Sequence, residues 1–168
     1  SQGNATAIGR DAQATSTNAI AVGLFSKASG NVAVAIGMNS TALANESMAI
    51  GAFANSSENN GLALGTNAQA IAVNAMALGT ESYANTLDAF AAGLRSRATG
   101  VNSMALGMLS NASNTNAFSA GSCANALGIN SLAYGTQAYA NAGNSMATGT
   151  RANATGTDAI AAGVCALA

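Results

Sequence analysis

The sequence predicts an all-β protein: a parallel β-solenoid of about twelve 14-residue coils, two short strands in each. Three observations carry that reading. One glycine recurs at Gly9, Gly23, Gly37, Gly51, Gly65, Gly79, Gly93, Gly107, Gly121, Gly135, Gly149 and Gly163, every interval being 14 residues over twelve copies. Around it, large apolar and small residues alternate with a period of two, as in Asn102-Ser103-Met104-Ala105-Leu106-Gly107, which is the period of a strand. The composition also lacks the bulk of an ordinary core. The 168 residues include 43 Ala and 19 Gly, and they are 49% hydrophobic but only 4% aromatic with no Trp, whereas ordinary interiors are filled by interdigitated large aliphatic and aromatic side chains.

The elements follow from the position of each residue relative to the glycine. Two before it stands Ala in eleven copies, Ser119 being the exception. Three before it is a larger apolar residue in eleven (Ile20, Val34, Met48, Leu62, Met76, Phe90 and so on), with Thr6 departing. One before it is usually Ile, Val or Leu, and four before it is always Ala, Ser or Gly. This stretch, from four to one before the glycine, is the first strand. Three after the glycine is Ala or Ser throughout, five after is Ala except at Ser56, and the residues two and four after are variable. The second strand is expected from about three to six after. A helix is excluded because residues two apart point to opposite sides of it, and because Gly and Asn recur where a helix interior would lie. Gly makes one tight corner with positive φ. Asn or Asp, five before the glycine in ten copies, suits the other as an Asx-type turn and can ladder from coil to coil. Twelve coils about 4.8 Å apart make a rod on the order of 55 Å long.

The alternation also assigns faces. The second strand has one strictly small face and one variable polar face, so one looks inward and the other to solvent. The first strand is restricted on both faces, large on one and small on the other, and a strand restricted on both faces is buried on both. A two-sheet roll covers only one of these, so the other is expected to meet another chain. The pattern alone leaves open which face points inward.

Composition excludes several functions. Five Lys+Arg against six Asp+Glu give a net charge of −1, with 7% charged residues against about 25% usually. Arg10, Lys27, Arg95, Arg97 and Arg151 do not form the basic patch that nucleic acid requires. No apolar run approaches the length of a membrane span. His is absent and Cys is limited to Cys123 and Cys165, so catalytic, metal and cofactor sites are not expected. The chain opens Ser1-Gln2-Gly3 and reads as one domain, 1–168, cut from a longer protein.

The repeat Asn-Ser-Φ-Ala-Φ-Gly-x-x-Ser-x-Ala resembles that of YadA-like heads of trimeric autotransporter adhesins. It is carried by Asn102–Ser110, Glu46-Ser47-Met48-Ala49-Ile50-Gly51, Asn130-Ser131-Leu132-Ala133-Tyr134-Gly135 and Asn144-Ser145-Met146-Ala147-Thr148-Gly149. The resemblance implies a left-handed parallel β-roll and a homotrimer of such rolls. It also implies a head that binds host matrix proteins, cell-surface receptors or other bacteria from the surface of a Gram-negative cell. The parent's coiled-coil stalk and outer-membrane β-barrel anchor are absent from this chain.

Rival readings are weaker. A structural spacer that projects another binding domain is the alternative, since no concentrated site is visible. An ice-binding solenoid needs a regular Thr ladder, but Leu24, Met38, Ala52 and Leu94 interrupt Thr66, Thr80, Thr136 and Thr150. Arg95, Arg97 and Lys27 could mark a basic spot, although exposed charges of this kind are usually solvated and worth little. The glycosylation-like triplets at Asn4, Asn39, Asn111 and Asn153 are what a chain rich in Asn, Ser and Thr produces by chance. Cys123 and Cys165 both stand two after the glycine, three coils and about 14 Å apart, beyond disulfide reach. They are expected to be free, semi-buried fillers.

Overall fold

The computed structural model describes residues 3–168; Ser1 and Gln2, the first two residues of the expected domain, lie outside them. Three-residue strands, from β1 (Thr6–Ile8) to β23 (Ile160–Ala162), alternate along the chain with two-residue strands, from β2 (Gln13–Ala14) to β22 (Asn153–Ala154). The odd-numbered strands form one twelve-stranded sheet and the even-numbered strands an eleven-stranded sheet, each pairing with the next of its kind. All pairs are parallel and in register at 14 residues, as in Met76↔Phe90↔Met104 and Ala77↔Ala91↔Ala105. A twelfth partner for the second sheet is begun by the Asn153–Leu167 bridge.

The strands are shorter than the alternation suggests because their outer residues close turns. The amide three after the glycine bonds back to the glycine carbonyl at 3.2–3.4 Å, and the residue four before the next glycine does the same three residues upstream at 3.0–3.3 Å. Each coil therefore holds two β-turns seven residues apart. The third residue of each turn is left-handed, which makes 24 non-glycine residues with φ of 53–60° among the described residues. In the turn before the first strand that residue is Asn or Asp ten times in twelve, the types that tolerate this region best. Their side chains form the expected ladder, Asn116 Nδ2 donating to Asn130 Oδ1 at 3.0 Å and Asn130 to Asn144 at 3.1 Å. Asn74 donates to Asp88 at 2.8 Å. Asp88 has no amide hydrogen to pass on, so the ladder stops there and restarts at Asn102, which donates to Asn116 at 3.4 Å.

The repeat glycine precedes the other turn and is required twice over. Gly107 has φ of 121°, and a Cβ built on it would stand 2.7 Å from the carbonyl oxygen of Gly121 in the next coil. Neither the backbone nor the stacking distance admits a side chain there.

The face left open by the sequence is now assigned: the small residues point inward. Every fully buried side chain is Ala or Ser, in four columns that run the length of the rod. Most buried serines donate to the carbonyl three residues upstream, Ser110 to Gly107 at 2.9 Å and Ser131 to Gly128 at 2.7 Å, while Ser103 Oγ accepts from the Gly100 N–H at 3.1 Å. Ser56 and Ser119, which replace Ala in two of the columns, leave their hydroxyl oxygens buried without a partner. Gly61 answers the first of these. It stands where other coils carry Ala or Ser, and a Cβ on it would lie 2.5 Å from Ser56 Oγ.

A double-mutant cycle should therefore be non-additive. Ser56→Ala is expected to stabilise by about 1 kcal/mol by removing an unsatisfied buried group. Gly61→Ala alone should destabilise by about 1–2 kcal/mol through overpacking against Ser56 Oγ, and because Ser56→Ala removes that clash, the double variant should be more stable than the sum of the two single effects by about 1 kcal/mol. Urea denaturation of the four proteins measures the coupling; simple additivity would show that the two sites do not share space.

Candidate functional site

The inward turn of the small residues sends the large ones out. The odd strands present two adjacent apolar columns, one three before the glycine and one immediately before it, held in line by the ladder Ile20↔Val34↔Met48↔Leu62 and its continuation. None of these side chains is buried: Met104 is 36% exposed, Leu64 45% and Ile8 59%. Phe90 and Phe118 each share a strand with a small partner, Ala92 and Ala120, so the bulkiest and smallest outward residues compensate within a coil. A continuous apolar face of this length exceeds what a soluble monomer leaves uncovered and marks an interaction surface. The apolar residues that follow the glycine extend it around the corner, with Phe25, Met38, Phe53, Leu94, Met108 and Leu109 all exposed.

The even strands carry a different outward face, of amide, hydroxyl and tyrosine side chains. Polar links run from coil to coil at the left-handed corner that precedes these strands and on the strands themselves. Arg95 Nε donates to Glu81 Oε2 at 2.7 Å, Arg151 Nε donates to Gln137 Oε1 at 3.2 Å, and the Arg97 guanidinium lies 5.2 Å from the centre of the Tyr83 ring. The hydrogen bond from Arg95, reinforced by its charge, holds the Glu81 carboxyl below the usual carboxylate range.

The structure does not gather Arg95, Arg97 and Lys27 into a basic spot, in keeping with their reading as separate surface charges. Arg95 is paired with Glu81 and Arg97 is stacked on Tyr83, while Lys27 lies five coils from Arg97, about 24 Å along the rod. Among the described residues no three of Cys, Asp and Glu come together as metal ligands. The 14-residue register keeps Cys123 and Cys165 three coils apart, both at left-handed corners. Cys123 is half-buried as expected, but Cys165 is exposed, so it fills no interior space. Cys165 lies in the last described coil, where no further coil stacks against it, whereas Cys123 at the same corner has coils on both sides. The sequence reading missed the tripeptide Tyr-Ala-Asn, which occurs at 83–85 and again at 139–141; its identical register was the available signal.

The model of the YadA head domain repeat matches residues 1–26, 14–40, 42–68, 70–96, 98–123, 126–152 and 140–164. Those matches cover nearly the whole chain, and the chain belongs to the YadA head family. None of the curated proteins compared with it matches.

The ion pair sets a pH dependence. Because the folded-state pKa of Glu81 is depressed, its contribution is present above the unfolded value and is lost as pH falls through the folded one. The difference in melting temperature between the parent protein and Glu81→Gln should accordingly be small at neutral pH and vanish in acid, with added salt shrinking it. Thermal melts across the acid range measure it. A difference that grows on acidification would contradict the pairing.

Proposed function

We propose that this chain is the head of a homotrimeric surface adhesin of a Gram-negative bacterium, attaching the cell to host matrix, host cells or other bacteria. The parent protein is held in the outer membrane through other segments. The observation that supports this most directly is the pair of outward apolar columns on the first sheet. Burying one interior methyl contributes about 0.8 kcal/mol, less than the roughly 1–2 kcal/mol needed to order a residue's backbone. An interior of Ala and Ser alone is thus poorly stabilised, and covering Ile, Met, Leu and Phe supplies what it lacks. The number three rests on family membership. Adhesion by such a head is multivalent, many weak contacts on stacked coils acting together. A spacer role is favoured instead by the unbroken regularity of the rod.

Two substitutions separate assembly from folding. Sedimentation equilibrium of the parent should give about three times 16.2 kDa. Met104→Lys places a charge on the outward face and should yield smaller species, because an unpaired charge costs several kcal/mol to bury. Ala105→Asp places one in the interior, where Ala105 is fully buried, and should prevent folding altogether. A folded parent monomer at micromolar concentration would overturn the trimer.

Adhesion is tested with beads carrying the chain on collagen, fibronectin, laminin and epithelial cells. Deleting two or three whole 14-residue units should weaken attachment in steps. No attachment to any of these surfaces would favour the spacer, and complete loss on one substitution would contradict distributed binding.

A further inference from the structure

The outward face of the second sheet is the one that covering the first sheet's apolar columns leaves free, and its C-terminal half is unlike the rest. In-register pairing stacks Tyr83, Arg97, Asn111, Asn125, Tyr139 and Asn153 in one column. All six side chains end in a planar group. The earlier coils put Gln13, Lys27, Thr41, Asn55 and Gln69 in that place, a mixture with no aromatic. The two tyrosines stand four coils apart, about 19 Å, and each is followed at the second residue by an asparagine, Asn85 and Asn141.

The two Tyr-Ala-Asn units share their register and differ in detail, Asn85 being half-buried and Asn141 exposed. Tyr139 reaches along its strand, its hydroxyl 3.4 Å from Asn141 Oδ1, and both rings are half-buried against the sheet. Beside them the amide oxygens of Asn85 and Asn153 are buried without a hydrogen-bond partner, although buried acceptors of this kind are normally satisfied. The backbone of this face is fully engaged in the coil-to-coil ladder, so a peptide strand has no edge to join. Recognition there must come from side chains.

We infer that this column is a binding track for an extended neutral oligosaccharide lying along the rod axis. The chemistry matches in three respects. The apolar side of a pyranose ring packs on tyrosine. Adjacent sugar hydroxyls are donor and acceptor together, as are the carboxamides of Asn111, Asn125 and Asn141, and the partnerless amide oxygens of Asn85 and Asn153 lie beside the same column. The column also carries one cation, Arg97, and no anion, which fits an uncharged chain and offers too little charge for a polyanion. The inference rests on the adhesin reading, for which it names the partner class. The track is flat, so each contact is weak and three copies of it act together.

The test uses the intact chain with cellohexaose, chitohexaose and mannohexaose as probes, observed by saturation-transfer NMR and titration calorimetry. At least one hexaose should bind, and its disaccharide, too short to span Tyr83 and Tyr139, should bind at least tenfold more weakly. Tyr83→Ala and Tyr139→Ala should each weaken binding about tenfold without lowering the melting temperature, while Gln69→Ala, outside the track, should leave it unchanged. Absence of binding by all three hexaoses, or binding indifferent to both tyrosine substitutions, overturns the inference. So does binding of a heparin hexasaccharide in preference to all three. Bead attachment to cells that survives in the Tyr83→Ala/Tyr139→Ala double variant would overturn the track while leaving the adhesin reading in place.

Discussion

The distance between the two sheets governs this molecule. They lie so close that nothing larger than a serine hydroxymethyl is fully buried between them, and the rest of the architecture adjusts to that gap. A coil with so thin an interior needs only 14 residues to go round: two strands of two or three residues and two tight turns. No slack remains for an insertion, and none occurs in twelve copies. The same gap expels every Ile, Leu, Met and Phe of the first strand to the outside. The apolar surface that an ordinary domain would hide within itself is displayed here along one side of the rod. The proposed self-association would then follow from the interior's thickness, with these outward side chains as its surface.

The two turns of each coil resolve their backbone strain differently. A left-handed conformation costs an ordinary residue roughly 1–2 kcal/mol. Before the first strand that cost is largely avoided by Asn and Asp, which also gain the side-chain ladder. Val32 is the misfit, a β-branched residue with φ of 58°, and it stands where the ladder has no link. After the glycine the corresponding position holds Phe25, Phe53, Arg95, Leu109, Cys123 and Arg151, none of which favours the conformation. Only Asp11, Asn39 and Asn67 there are of the tolerant type. The fold thus accepts strain at one corner and removes it at the other. The corner that accepts it is where the surface chemistry changes most from coil to coil.

Much of this was legible in the sequence, because a repeat reports the same environment twelve times. The period fixed the coil, alternation fixed the strands, and constancy against variability separated the covered face of the second strand from its free one. What alternation could not decide was the sense of the first strand, since large-in with small-out and its reverse give the same pattern. The missing quantity was the intersheet distance, a property of both strands and both turns together. The left-handed residue two after the glycine was hidden for a related reason. Its occupants are so varied that they resemble a free surface position, and the invariant Gly beside them drew the turn's geometry to itself. Lys27 and Arg97 were grouped as charges along a sequence, yet the rod separates them by five coils. The exposure of Cys165 was missed because its environment was read from the repeat position it shares with the half-buried Cys123, and not from its place in the last described coil, which has a neighbour on one side only.

Register carries a further consequence for recognition. Each position of the repeat becomes a straight column, so a side chain's neighbours above and below are set by residues 14 away rather than by the fold around it. Substitutions in one column can therefore change a binding surface without disturbing the interior, provided they avoid the glycine and the four small columns. The even-strand face shows this freedom: Gln13 and Lys27 give way along one column to Tyr83, Arg97 and Tyr139, while the alanine one residue on, at 14, 28, 84, 98 and 140, does not change. A surface written in this way is extended and flat, with groups repeating at the coil spacing. It is suited to partners that are themselves extended and periodic, and ill suited to enclosing a small molecule. On a surface of this kind affinity rises with the number of coils that a partner engages at once.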